Sequence, residues 1–249
     1  MILRTLPLAA IAFALAACAT TPISTPPPTG TMARASTNGA MQDAATALER
    51  IRTLDDAGPM LNAVIAFAPD AAEQAGAANA ASLLAGRTVL VKDNIETREW
   101  PTTAGSLALA NNRTGRDAPM IANLRRNGGV VMGKTNLSEW ANIRDSNSTS
   151  GWSAVGGLVR NPYAIDRNSC GSSSGSGAAV AAGFAWAAIG TETNGSITCP
   201  ASINGVVGFK PSVGVVSRTH VVPISSTQDT AGPMARSVMD AAMLLTAIA

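Results

Sequence analysis

The chain has 249 residues, 46% of them hydrophobic and 14% charged, with 23 Gly; this much apolar material over this length builds a buried core rather than a disordered tail. Lys+Arg 18 against Asp+Glu 16 leave a formal charge of +2 with no long run of like charges, which excludes a nucleic-acid partner held on a basic face. Three Cys without a CxxC pair, and one His, His220, cannot assemble a tetrahedral zinc site of the usual ligand set, so no metal is expected.

The chain opens with Met1, Arg4 and the apolar, small-residue run Leu6 to Ala17, which is too short to span a bilayer and ends in Leu15-Ala16-Ala17-Cys18. A short charged stretch followed by such a run is the pattern of a secretory signal. The final tetrad resembles the lipobox of bacterial lipoproteins, which implies acylation at Cys18, a membrane partner through that lipid and a place in the cell envelope on the periplasmic or extracytoplasmic face. Residues 1–17 are then the signal peptide, and 18–40, with Pro22, Pro26, Pro27 and Pro28, an extended tether.

Beyond the tether, Ala44, Leu48 and Ile51 recur at helical spacing within Met41 to Leu54, where Asp55, Asp56 and Gly58 end the run. Leu61 to Phe67 reads as a strand, Pro69 to Leu84 as an Ala-rich helix, and Arg87 to Val91 as a buried β-branched strand with Lys92 at its end. A helix over Met120 to Arg126, closed by Gly128-Gly129, precedes a strand at Val130 to Met132. A polar stretch, Ser146 to Gly177, leads to a small-residue helix at Ala178 to Ala182, a strand at Ala185 to Ile189 and a last apolar helix over Ser237 to Ala249. The alternation predicts an α/β fold with a mixed central sheet flanked by helices. The last helix has neither a Gly cap nor a polar tail, so the fold is expected to be truncated.

Three stretches gather chemistry that packing does not require. Thr88 to Asn94 delivers Lys92 on an apolar strand, and a Lys that loses its hydration there becomes a usable base near neutral pH. Gly171 to Gly177 is a Ser/Gly run, and Gly190 to Ser196 is a turn after an apolar strand, where successive N–H groups can converge on one oxyanion. Lys134 and Lys210, in Gly133-Lys134-Thr135 and Phe209-Lys210-Pro211, read as structural residues of turns.

In this order, "VLVKDNI", "CGSSSGSGAAVAAG" and "GTETNGSITCPASINGVVGFKPSVG" resemble the amidase signature family, with Ser172 and Ser196 separated by the 24 positions that its pattern expects. "PTTAGSLAL", "GKTNLSEWA" and "DTAGPMARS" extend the resemblance over about residues 40 to 249, so that 41–249 is the N-terminal part of the family's domain. The loops are most similar to those of its bacterial peptide amidases, and Thr198 stands where glutamine amidotransferase subunits carry Arg. The resemblance implies a serine amidase without metal or organic cofactor, cleaving a small-molecule or peptide carboxamide through an acyl-enzyme. Ser196 would be the nucleophile, Lys92 the base and Ser172 the bridge, with a cis peptide at Gly171-Ser172. Backbone N–H groups of Thr193, Asn194, Gly195 and Ser196 would form the oxyanion hole. Ser173 would support Ser172 or Lys92, and Glu192 would orient the loop.

The same residues permit other readings. Gly171 to Gly175 also fits G-x-S-x-G, and the order Ser173, Glu192, His220 matches that of α/β-hydrolase triads, although no apolar strand precedes the motif. A phosphate cradle lacks the G-K-[ST] ending. A truncated, catalytically inactive lipoprotein and a glutamine amidotransferase-like subunit remain as functional alternatives, and oligomeric state is left open. Cys170 and Cys199 are expected to be buried free thiols, and Asp229 and Arg236 an ion pair bracing a Gly232-Pro233 turn.

Overall fold

A computed structural model describes residues 37–249. Cys18, the signal segment and most of the tether lie outside the described residues. Helix α1, Thr37–Arg50, begins four residues ahead of the expected start and continues into a π-helical turn, Ile51–Asp55. Its buried face carries Ala44, Leu48 and Ile51 as the spacing requires.

The first strand is shorter than its apolar run. Met60 and Asn62 have left-handed φ values of 51° and 56°, which interrupt an extended chain. The Asp55 carboxylate then takes the N–H groups of Ala63 and Val64 at 2.7 and 2.9 Å, so β1 covers only Val64–Phe67. Likewise α2 spans Ala71–Ala77 rather than the whole Ala-rich stretch. Asn79 ends it: its side chain accepts from Ala81 N–H, and its carbonyl accepts from Ser82 Oγ, a local turn that competes with further helix.

Strand β2, Thr88–Lys92, α3, Pro119–Arg126, and β3, Val130–Thr135, follow. Extending β3 past Met132 corrects the turn assigned to Gly133-Lys134-Thr135. Gly133 makes the extension possible, because a Cβ there would meet the Ala66 carbonyl oxygen of β1 at 2.1 Å. A small hairpin pairs β4, Trp152–Ser153, with β5, Gly157–Leu158. Helix α4, Ser174–Ala181, starts inside the serine run because Gly175 lets it press on the carbonyls of Ala63 and Asn136. After β6, Ala187–Glu192, and α5, Thr198–Ile203, come β7, Val207–Gly208, β8, Thr230–Ala235, and α6, Val238–Ile248. Gly232 and Pro233 therefore sit in a strand, and Arg236, exposed beyond its end, does not brace a turn with Asp229.

The main sheet is mixed, as expected, in the order β1-β3-β2-β6-β8-β7. Strands β3, β2 and β6 run parallel, while β1, β8 and β7 pair antiparallel to their neighbours. Both sheet faces are covered. Leu90 and Ala188 join α1, α2 and α4 in one apolar layer, whereas Val89, Val91, Ala187 and Ile189 join α3 and α6 in the other. Burial on both faces explains why these strands read as unbroken apolar runs. It also means that β2 and β6 are adjacent parallel strands whose C-terminal ends emerge side by side, where ligands of such sheets bind.

Candidate active site

The end of β2 carries Lys92, and the end of β6 carries Thr191 and Glu192. The parallel pairing of Leu90 with Ala188 and Val91 with Ile189 sets these ends next to one another. Lys92 is fully buried. Its Nζ lies 2.7 Å from Ser172 Oγ, 2.8 Å from Thr191 Oγ1 and 3.3 Å from the Thr191 carbonyl oxygen. Burial pushes the Lys92 ammonium down from 10.5 to about 7, against the opposing pull of Glu192 and Asp229. A neutral amine has two N–H groups and one lone pair. With Thr191 offering two acceptors for the N–H groups, the lone pair is left for the Ser172 hydroxyl.

Ser172 is also fully buried and follows a cis peptide bond at Gly171-Ser172. Its carbonyl accepts from Ser138 N–H at 3.1 Å. The next residue links the two serine segments through the backbone, since Ser173 N–H donates to the Ser196 carbonyl at 3.1 Å. The Ser173 hydroxyl does not reach Ser172 or Lys92. It donates to the Thr191 carbonyl at 3.1 Å and accepts from Thr191 N–H at 3.2 Å, which pins the β6 residue whose oxygens accept from Lys92 Nζ. Ser173 therefore supports the site through Thr191, a correction to the expected contact. This placement also removes the α/β-hydrolase alternative, because the sole His, His220, stands beside Glu96 at 3.8 Å.

Glu192 behaves as an organiser. Its Oε2 accepts from Ile197 N–H at 2.7 Å, Thr198 N–H at 2.9 Å and Thr198 Oγ1 at 3.2 Å. Burial raises its pKa, but the N–H groups of Thr198, Ile197 and Gly195, with Lys210, outweigh that and hold the carboxyl below its ordinary range. Gly195 N–H thus faces Glu192, which sets it apart from the other expected oxyanion donors. Among the described residues no hydrogen bond engages the N–H of Asn194 or Ser196. Ser196, at the half-buried end of the turn, likewise has no hydrogen bond on its hydroxyl there.

Sequence reasoning overlooked Thr191 and Asn94. Asn94 Nδ2 donates to Thr191 Oγ1 at 2.9 Å. Asn94 lies in the turn that follows β2, beyond the reach of strand alternation; the 99 positions between Lys92 and Thr191 carry no sequence signal either. The second Lys of this region, Lys134, is fully buried in β3, with Nζ 3.1 Å from Asp93 Oδ1 and 2.6 Å from the Ile95 carbonyl. Burial lowers its pKa while Asp93 draws it back up. It is structural, as expected, but in a core ion pair.

Cys170 and Cys199 are not free thiols: they form a disulfide with Cα atoms 6.0 Å apart. The bond ties the residue preceding Gly171-Ser172 to the helix that follows Ser196. Closing a loop of 29 positions stabilises by about 3.5 kcal/mol in the chain-entropy description. Reduction, or Cys170→Ala, is therefore expected to lower the melting temperature by several degrees in a calorimetric scan. An unchanged melting temperature would show that the bond constrains nothing.

The site is thus a buried Lys-Ser pair at the C-terminal ends of parallel strands of an α/β fold, beside a turn in which the N–H groups of Asn194 and Ser196 carry no hydrogen bond among the described residues. The chain belongs to the Amidase family, whose profile matches residues 44–249. It is 55% identical to the peptide amidase of Stenotrophomonas maltophilia, with a TM-score of 0.79 over 84% of this chain and 44% of that one. A protein of Arabidopsis thaliana named as an amidase is 47% identical over 81% of this chain and 41% of its own length. A glutamyl-tRNA(Gln) amidotransferase subunit of Burkholderia pseudomallei is 48% identical over 72% of this chain and 35% of its own length. The chain thus spans less than half the length of these relatives.

Proposed function

We propose that the protein is a serine amidase that hydrolyses carboxamides, with C-terminal amides of peptides as its substrate class. The observation that carries this reading is the fully buried Lys92 Nζ 2.7 Å from Ser172 Oγ, with a pKa brought to about 7. In the proposed reaction, Ser172 passes its proton to neutral Lys92 and takes the proton of Ser196, whose Oγ bonds to the substrate carbonyl carbon. The reading requires Ser196 Oγ to come within hydrogen-bond reach of Ser172 Oγ in the substrate complex. N–H groups of the turn, those of Asn194 and Ser196 among them, donate hydrogen bonds to the oxyanion, a type of donor worth about 3 kcal/mol of barrier each. The proton then returns through Ser172 to the leaving nitrogen, the C–N bond breaks and ammonia departs. Water, deprotonated by the same relay, releases the acyl group as a carboxylate.

The test is ammonia release from a peptide C-terminal amide by the protein at its full natural length. If the peptide amide is left intact and glutamine is instead converted to glutamate as an activated acceptor becomes amidated, the amidotransferase reading replaces this one. Loss of activity to a chelator, with recovery on adding zinc, would also overturn it.

We further propose that Cys18, outside the described residues, carries lipid and holds the enzyme at the cell envelope. Support comes from Leu15-Ala16-Ala17-Cys18 after the apolar run. Among the described residues no helix is long and apolar enough to cross a membrane. Cys18→Ser should shift the protein from the membrane pellet to the soluble fraction, and unchanged retention would rule lipid at Cys18 out.

A further inference from the structure

Lys210, which the reaction above does not use, reaches back 17 positions to donate from Nζ to the Thr193 carbonyl oxygen at 2.5 Å. The same residue is held at its other end: Thr193 Oγ1 donates to Asp229 Oδ1 at 2.5 Å, while Asp229 Oδ2 accepts from Ile224 and Ser225 N–H at 2.7 and 2.9 Å. Lys210 is itself steadied by Glu192, with Oε1 3.9 Å away. Thr193 is thus clamped by one cation on its carbonyl and one anion on its hydroxyl. No interaction of Lys210 Nζ with Lys92, Ser172 or Ser196 accompanies this among the described residues.

The clamp has a geometric consequence. The Thr193-Asn194 peptide is trans, the cis bond of the described chain being Gly171-Ser172, so its C=O and N–H point in opposite senses. A carbonyl drawn onto Lys210 turns Asn194 N–H the other way, and that N–H has no partner among the described residues. Positive charge on the carbonyl oxygen also polarises the peptide and makes its N–H a stronger donor. A donor that is unpaired, polarised and fixed in direction before substrate arrives is what stabilises an oxyanion most.

We propose that Lys210 is a positioning residue for the oxyanion turn: it holds the Thr193 carbonyl so that Asn194 N–H faces the substrate carbonyl oxygen in the transition state. The inference rests on Ser196 being the nucleophile. Lys210 touches neither substrate nor reacting atoms, so its effect falls on the charged transition state and hardly on substrate binding.

The experiment compares wild type, Lys210→Met and Lys210→Arg at full natural length. It measures kcat and KM for ammonia release and the rate at which an alkyl fluorophosphonate modifies Ser196. Lys210→Met is expected to lower kcat and the modification rate together by about 10- to 100-fold, with KM within about threefold of wild type. Lys210→Arg should recover most of both rates, and the rise of activity with pH should keep its midpoint. Where Lys210→Met does not fold, Lys210→Gln, which keeps a neutral donor, is expected to show a partial loss in the same two rates. Wild-type rates in Lys210→Met or Lys210→Gln, or a loss carried by KM alone, would overturn the proposal. A wild-type protein that the fluorophosphonate does not modify at Ser196 would instead overturn the serine amidase reading beneath it.

Discussion

Ser196→Ala is expected to abolish ammonia release and fluorophosphonate labelling together, because no other hydroxyl in the turn can form the acyl-enzyme. Lys92→Ala should lose several orders of magnitude: the base is removed, and Lys134, the neighbouring buried Lys, is committed to Asp93 and the Ile95 carbonyl. Ser172→Ala should retain more turnover than either, since water entering the vacated volume can carry a proton between Ser196 and Lys92. His220→Ala is expected to leave the rate nearly unchanged, as its ring stands beside Glu96. The four rates form one measurement, with folding checked by circular dichroism. A folded Lys92→Ala variant at near-normal rate would falsify the relay. A dead but folded His220→Ala variant would require a catalytic role for a residue that the fold sets apart.

Lys92 also ties activity and stability to pH, and both rise as pH climbs above about 7. The base must be neutral, so kcat/KM should rise through about pH 7 as Lys92 loses its proton. For stability, the folded-state pKa of about 7 lies below the unfolded value of 10.5. Below about pH 7 the group is charged in both states, and the full cost of burying that charge is present. Between about 7 and 10.5 the unfolded chain binds the proton that the folded protein has released, so the cost falls as pH rises. Lys92→Met, which fills the same volume without charge, is thus expected to be inactive yet more stable than wild type at pH 6, by about 1 to 3 kcal/mol. The advantage should shrink towards pH 9. Denaturant melts of both proteins at the two pH values check this, and a Lys92→Met variant less stable than wild type at pH 6 would show that the hydrogen bonds to Thr191 outweigh the desolvation.

Such a trade of stability for function separates Lys92 from Lys134. Both are fully buried, but Lys134 meets a carboxylate at 3.1 Å, whereas Lys92 meets only hydroxyls and a carbonyl. A buried cation beside a carboxylate keeps its proton more readily than one that faces neutral acceptors. Sequence patterns single out Lys92 by its motif, but they carry no sign that Asp93 pairs with Lys134, which reads there as part of a turn.

What the sequence by itself determined was local. Apolar runs placed β2 and β6, helical spacing placed α1, α3 and α6, and the ordered motifs placed Lys92, Ser172, Ser196 and the family resemblance, because strands buried on both faces and turns rich in Gly and Ser are written in consecutive residues. The tertiary structure decided whatever depends on residues far apart in the chain. The register of β2 against β6 brings Thr191 to Lys92 across 99 positions, β8 enters the sheet between β6 and β7 with a Gly and a Pro that resemble a turn, and Cys170 and Cys199 come within bonding distance. Lys210 meets the Thr193 carbonyl for the same reason. Short-range propensity sets which element a segment forms, but the partner of a buried polar group is chosen by packing, since a group removed from water must find a donor or acceptor wherever the fold presents one.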